Sequence, residues 1–258
     1  MNYTVHVNRR QLPSFSSPQL QLFDTRSADD RWTVRVSGRA RRLSVRVYPG
    51  GRVEVIVPPG ASPAAVQKFI GTHRQWIHRR VEDLSTAAAS DESRPASIKL
   101  AAIGRLFAVE YEHAGEDSAQ LRVVGENMLT VRGPLHNDRA TAVLLRSWLA
   151  DLARQQLGAQ LADIAEECGF RYARAQVRRQ RTRWGSCSAS GTISLNVCLL
   201  FLRPPVVRYL LVHELCHTRH MNHSAKFWAL VESFEPHYRA LDQELLRGWQ
   251  SVPGWMFS

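Results

Sequence analysis

The chain has 258 residues, 44% of them hydrophobic, and a net charge of +11. This length and composition allow one large domain or two smaller ones, each with a buried core. No apolar run is long enough to cross a membrane, and residues 1–10 lack the apolar core of a signal peptide. We therefore expect a cytoplasmic protein without a membrane partner, and the excess of cations favours polyanionic partners.

The first part of the chain is predicted to form a small subdomain after an irregular extension. Residues 1–30 are polar and show no periodicity, which predicts a poorly ordered N-terminal extension. Alternating Val residues around Pro49, Gly50 and Gly51 predict a β-hairpin. A helix is predicted to follow. The predicted strands span 32–37, 42–48 and 52–57, the helix spans 62–84, and the subdomain spans 31–84.

Residues 85–97 have the composition of a linker, so a domain boundary is predicted there. The second domain is predicted to span residues 98–250, and residues 251–258 form a C-terminal tail. The strands of this second domain are predicted at 98–100, 106–112, 120–124 and 128–132. A helix over 138–168 and a strand pair over 177–187 and 192–196 are predicted to follow. Strands and helices that are not regularly interleaved indicate an α+β fold.

The four cysteines, at positions 168, 187, 198 and 216, show no paired spacing typical of metal ligands. In a reducing compartment we expect all four to be free thiols. Cys216 is predicted to pack in the core. Cys187 could approach a site, but packing is the favoured role for it as well.

The segment His213-Glu214-Leu215-Cys216-His217 carries the clearest chemical signal. Two imidazoles four residues apart project from one face of a helix and can bind the same tetrahedral metal ion. Glu214 then points towards the open coordination position, where a water would bind. This layout predicts a catalytic zinc site with Glu214 as the general base.

The preceding residues, 204–212, begin with two prolines and are apolar on nearly every face, which predicts a buried helix. Imidazoles and a carboxylate are costly to bury unless something compensates them, and a metal ion would do so. The alternative is a hydrogen-bonded His and Glu face without a metal.

A catalytic zinc site needs a third protein ligand. His220 would continue a straight row on the same helix face, which cannot wrap around a tetrahedral ion. His223 lies beyond the predicted helix end, where a turn before a new helix would bring it back, so it is the favoured third ligand. The other candidates that the spacing leaves open are His237, Glu232 and Glu235.

The spacing of the three His residues matches metzincins, but His220 stands where those enzymes have Gly, and no methionine turn follows. The wider segment resembles the YgjP-like family of zinc metallopeptidase-type hydrolases, which are relatives of the SprT-like and WLM zincins. The motifs that carry this resemblance are Arg183-Trp184-Gly185-Ser186-Cys187-Ser188, Gly191-Thr192-Ile193-Ser194-Leu195-Asn196, the His213 to His217 motif, Asn222-His223-Ser224 and Phe227-Trp228.

The resemblance implies a zincin-like metallopeptidase domain with one Zn²⁺ per chain. It also implies that His213, His217 and His223 bind the metal and that Glu214 is the general base. Zincins place a sheet edge beside the metal helix, where an extended peptide can add as a strand. The strand that contains Gly185 is the candidate edge.

Arginines are concentrated at residues 171–183, just before the predicted metal helix, and in the N-terminal hairpin. Arg side chains can bind phosphate or carboxylate, although they can also serve only as the solvent-exposed side chains of surface strands. We therefore expect a peptide or protein substrate. The Arg-rich segment Arg171 to Arg183 also predicts contact with a nucleic acid or a nucleotide.

Three function hypotheses remain open from the sequence. The favoured one is a zinc-dependent peptidase. The second is a metal-dependent nucleotide pyrophosphatase, although the chain has no Gly-rich phosphate loop. The third is a nucleic-acid-associated protein with a structural zinc, which would need four protein ligands and no open position.

Overall fold

The computed structural model describes residues 2–6, 32–48, 50–85, 94–115, 118–134 and 138–257. These residues form three small β-sheets, five α-helices and several short 3-10 turns. The predicted α+β class is confirmed. No helix in the described ranges is both long enough and apolar enough to cross a membrane.

The N-terminal subdomain is a three-stranded sheet covered by one helix. The sheet contains β2 (Trp32–Val36), β3 (Ser44–Val47) and β4 (Val53–Val57), and the helix is α1 (Pro63–Ser85). Strands β3 and β4 pair antiparallel, as predicted for the hairpin, and β2 pairs parallel with β4. Gly50 and Gly51 both have positive φ, a backbone conformation that glycine adopts without steric cost. Val55, Val57 and Val66 form its core.

A five-stranded sheet and a long helix form the largest layer of the protein. The strands are β1 (Asn2–His6), β5 (Ser97–Leu100), β6 (Arg105–His113), β7 (Ser118–Val124) and β8 (Met128–Gly133), in the order β1-β7-β8-β6-β5. Helix α2 (Asp138–Glu167) buries an apolar face that includes Leu144, Leu149 and Leu157. It packs against β7 and β1.

Strand β1 corrects the expectation of an irregular extension over residues 1–30. Residues 2–6 pair antiparallel with β7, so at least this part has a fixed place in the sheet. The rest of the expected extension, residues 7–31, lies outside the described residues. The same is true of most of the predicted linker, since α1 ends at Ser85, residues 86–93 are not described, and β5 begins at Ser97.

The third sheet lies beside the predicted metal helix. Its strands are β9 (Arg174–Arg178), β10 (Gly185–Cys187) and β11 (Thr192–Asn196), in the order β10-β11-β9. The predicted continuous strand over 177–187 is wrong, because a loop separates β9 from β10. The Asn196 amide holds this loop by donating to the carbonyls of Gln180, at 2.8 Å, and Arg183, at 2.7 Å. Strand β10 is an edge strand, as predicted.

Three helices complete the fold: α3 (Pro204–Cys216), α4 (Ala225–Phe234) and α5 (Tyr238–Arg247). Helix α3 begins with proline and is buried on most of its faces, as its sequence predicts. The expectation of a C-terminal tail is wrong, because Trp255 and Met256 are buried in the main core. Arg146, Arg179 and Arg181 donate hydrogen bonds to the carbonyls of Trp255, Met256 and Phe257, respectively, and hold this segment in place.

Candidate metal centre

His213 and His217 lie one turn apart at the C-terminal end of α3. His213 is in the last turn of the helix, and His217 is its C-terminal capping residue. Their ring centroids are 4.9 Å apart. The spacing of four residues therefore brings both imidazoles to one face, as the sequence predicts.

A tight turn returns the chain to these two residues. The N–H groups of Arg219 and His220 both donate to the Cys216 carbonyl, at 3.0 Å, and end the helix. His223 Nε2 then lies 3.2 Å from His213 Nε2, and ligand atoms of the three His residues are all within 4.8 Å of one another. Ser224 follows as the N-cap of α4. The predicted return of His223 is therefore observed.

Hydrogen bonds orient two of the imidazoles. His217 Nδ1 lies 3.0 Å from the His220 carbonyl, to which it donates, so Nε2 is the nitrogen with the available lone pair. His213 Nδ1 lies 3.5 Å from the Tyr209 hydroxyl, which itself donates to Asp242 Oδ1 at 2.8 Å. Such partners fix the tautomer and ring orientation of metal-binding imidazoles.

Sequence reasoning did not identify Tyr209 or Asp242 as part of this site. Tyr209 precedes His213 by four residues, so the helical period that paired the two imidazoles could have indicated it. Asp242 lies on α5, and its contact with Tyr209 depends on how α3 and α5 pack. No local sequence pattern predicts the contact between Tyr209 and Asp242.

Aromatic rings surround the three imidazoles. Phe227 is fully buried and stacks on His217 with a centroid distance of 4.4 Å, while its ring meets His213 and His223 edge to face. Burial, followed by the nearby His217 and His223, lowers the pKa of His213 to about 3. The imidazole is therefore neutral at physiological pH, which is the form that binds metal ions.

Glu214 is buried beside the cluster, with 4% of its surface exposed. Its Oε2 atom is buried and has no hydrogen-bond partner among the described residues. Burial raises the pKa of Glu214 to about 8, and the charge of Arg183 opposes this effect. Buried carboxylate oxygens normally have partners, so the lack of one for Oε2 among the described residues indicates Glu214 as a candidate for chemistry.

Strand β10 passes directly over this carboxylate. A Cβ atom at Gly185 would lie 2.5 Å from Glu214 Oε1 and 2.9 Å from its Cδ atom. Only glycine therefore allows the edge strand to approach Glu214 so closely.

The residues present fit a zinc ion by their chemistry. Zinc commonly binds three neutral imidazoles at a catalytic site and leaves one position open. The cluster offers three imidazoles, and the Glu214 oxygen that lacks a partner among the described residues lies in a buried position beside them. The bonding of Nδ1 in His217 leaves Nε2 for the metal, as this arrangement requires.

The rival ligands lie in other interactions. Glu235 pairs with Arg208 at 2.9 Å, and Glu232 lies 3.8 Å from Arg239. His220 contributes its carbonyl rather than its ring to the cluster. Within the described part of the chain, the converging group of potential ligands contains only His213, His217 and His223.

All four cysteines are free thiols, as predicted. Cys216 is fully buried in the core, which confirms its packing role, and Cys198 is buried as well. Cys187, on β10, is partly buried, and its pKa is raised first by burial and then by the charge of Glu214. Cys187 therefore lies near the site but outside the group of potential ligands.

Comparison with known proteins agrees with the site. The family model described as YgjP-like, metallopeptidase domain, matches residues 41–247. The chain belongs to the YgjP-like family. This membership confirms the resemblance seen in the sequence, and a metallopeptidase domain supports a metal-dependent hydrolase of the peptidase type.

Other comparisons add little to this YgjP-like assignment. The crystal structure of the metallopeptidase zymogen of Pyrococcus abyssi abylysin is similar over 35% of this chain and 91% of that chain, with 24% identity and a TM-score of 0.33. The search of curated proteins found no relative that matches this chain.

The contact between Gly185 and Glu214 leads to a stability prediction for this YgjP-like protein. Gly185→Ala places a methyl group against the buried carboxylate, so we expect the free energy of unfolding to fall by about 1–3 kcal/mol. Gly158→Ala, in helix α2, is the matched control because a Cβ there meets no atom within 4 Å. Urea unfolding of both variants checks the prediction, and equal stability of Gly185→Ala and the unaltered protein would contradict it.

Proposed function

We propose that this protein is a zinc-dependent metallopeptidase. In this proposal His213, His217 and His223 bind one zinc ion, and Glu214 is the general base. The observation that carries it is the buried Oε2 of Glu214, which has no partner among the described residues, beside three converging imidazoles. Burial of a carboxylate without a partner costs free energy of folding, so the presence of Glu214 at this position supports a chemical role.

The chemistry follows from the positions of the side chains. When bound, zinc would supply Lewis acidity, which lowers the pKa of a water molecule and polarises a carbonyl group. Glu214 takes a proton from the attacking water and then gives it to the leaving amine. Burial raises the pKa of Glu214 above that of a free carboxyl group, and the charge of a bound zinc ion would lower it again, so the side chain could both accept and release a proton near neutral pH.

The substrate in this proposal is an extended peptide. Strand β10 lies at the edge of its sheet, and its Gly185 contacts Glu214. The backbone N–H and C=O groups of an edge strand can pair with an added peptide strand. A peptide bound there would run past Glu214, which supports peptide bonds as the target.

The two other hypotheses receive less support from the structure. A structural zinc needs four protein ligands, whereas the described residues bring three together. In the Arg171 to Arg183 segment, Arg179 and Arg181 donate to carbonyl groups of the chain's own C-terminal segment. Phosphate binding by these two residues would have to compete with those hydrogen bonds.

An activity screen tests the proposal directly. Protein loaded with zinc is incubated with denatured protein and, separately, with nucleoside triphosphates. We expect new amino termini from the denatured protein, loss of cleavage after a chelator removes the zinc, and recovery when zinc is restored. Release of phosphate or pyrophosphate without peptide cleavage would contradict the proposal and favour the nucleotide pyrophosphatase.

A further inference from the structure

A cavity lies where the N-terminal subdomain meets the C-terminal part of the chain. Its volume is about 230 Å³, and it is lined by three arginines and two tryptophans, together with smaller side chains. These five residues are Arg46, Arg80, Arg181, Trp76 and Trp249. None of the described residues that line this Arg–Trp cavity is acidic.

The three arginines come from distant parts of the chain and converge here. Arg80, on α1, donates to the Leu246 carbonyl at 3.1 Å, and Arg181 donates to the Phe257 carbonyl at 3.1 Å. Arg46 lies on β3, close to the Tyr48 hydroxyl. These contacts fix guanidinium groups around one small space, and a guanidinium keeps further N–H donors when one donor is used.

Positive charge also accumulates behind the cavity. The pKa of Arg181 is lowered by burial first and then by the charges of Arg52 and Arg179. Arg146, which donates to the same C-terminal segment, has its pKa lowered to about 10 by burial and by Arg179 and Arg181. Like charges held this close favour an anion between or beside them.

The tryptophans give the cavity a second kind of contact. Trp76 lies on α1 with 51% of its surface exposed, whereas its neighbour Ile77 is fully buried. Trp249 is 4% exposed and stacks on Trp184 with a centroid distance of 4.1 Å. Trp76 therefore presents indole surface to solvent beside fixed cations, and an exposed indole can stack on a planar ring.

We propose that the Arg–Trp cavity binds a nucleotide unit of a single-stranded nucleic acid. Trp76 stacks on the base, and Arg46, Arg80 and Arg181 contact the phosphate groups. The combination of stacking surface with guanidinium groups is typical of sites that bind single strands. An acidic peptide would use the charges but not the exposed indole, and a duplex keeps its bases stacked inside, away from Trp76.

The cavity is connected to the candidate metal centre but distinct from it. Trp249 stacks on Trp184, the residue before Gly185, which contacts Glu214. A strand held in the cavity would therefore lie near the edge strand β10. Its binding needs neither zinc nor Glu214, so it can be tested whether or not the protein cleaves peptides.

Fluorescence anisotropy of the full chain with a labelled single-stranded oligothymidylate of about 20 nucleotides tests the proposal. At low salt we expect Trp76→Ala to weaken binding at least about fivefold, and Trp76→Phe to restore part of the affinity because it keeps an aromatic ring. Arg46→Gln should also reduce the slope of log affinity against log salt by about 0.7 for each phosphate that the variant no longer binds.

Arg122→Gln is the matched control for charge, because Arg122 is an exposed cation on β7 outside the cavity. It should affect binding less than Arg46→Gln. Equal weakening in these two variants, or wild-type affinity in Trp76→Ala, would overturn the proposal. Duplex DNA that binds as tightly as the single strand would also overturn it, as would full competition by polyglutamate at an equal concentration of charge.

Discussion

Glu214→Gln is expected to keep bound zinc and the native fold while reducing peptide hydrolysis by at least about 100-fold, since general base catalysis contributes roughly that much or more. The amide has nearly the same shape as the carboxylate but cannot accept the proton of the attacking water. In the zinc-free protein, Glu214 is buried and its Oε2 has no partner among the described residues, so there the neutral amide should also be at least as stable as the carboxylate at about pH 9. Turnover, zinc content and thermal unfolding measured together separate these effects.

Glu232→Gln is the matched control for this variant. It makes the same chemical change on α4, where Glu232 is exposed and lies 3.8 Å from Arg239. An exposed ion pair contributes little to stability, so both activity and unfolding should stay unchanged. Near wild-type turnover in Glu214→Gln would remove Glu214 from the role of general base.

His217→Ala is expected to remove most of the bound zinc and, with it, the activity. Two remaining imidazoles cannot complete a three-ligand site, and the loss of the ring also leaves a gap against Phe227, on which it stacks. Elemental analysis after zinc loading and dialysis against metal-free buffer should give close to one zinc per chain for the unaltered protein. The variant should retain only a small fraction of that amount.

His220→Ala is the informative control for the zinc experiment. His220 stands three residues further along the chain, but it contacts His217 through its backbone carbonyl, which the substitution keeps. We therefore expect full zinc content in this variant. Equal zinc in His217→Ala and the unaltered protein would contradict the ligand assignment, and loss of zinc in His220→Ala would show that its ring matters.

Helix α3, which carries His213 and His217, was predictable because its signals are local. The two-proline start, the apolar faces and the spacing of His213 and His217 all lie within one helix, and Ser224 marks the next helix start. The return of His223 to the other two His residues was predicted from the same short stretch of sequence. The family resemblance then rested on motifs within and next to these elements.

The features that were missed depend on distant partners. Strand β1 has five residues, which do alternate polar and apolar side chains, but its partner β7 lies far along the chain. The break between β9 and β10 is held by Asn196, which lies beyond both strands. Burial of Trp255 relies on a core assembled from many elements. Sequence patterns indicate which face of a single helix or strand is buried, but they do not indicate which elements pack together.

The pairing of β1 with β7 makes the domain that contains the five-stranded sheet discontinuous in sequence. The chain begins in that sheet, leaves it to build the N-terminal subdomain, and returns at β5, so the subdomain is an insertion rather than a leading module. A fragment that starts at residue 94 would lose β1 and expose the backbone of β7 as a new edge, which invites pairing between molecules. An internal deletion that joins β1 to β5 through a flexible linker would keep the sheet intact.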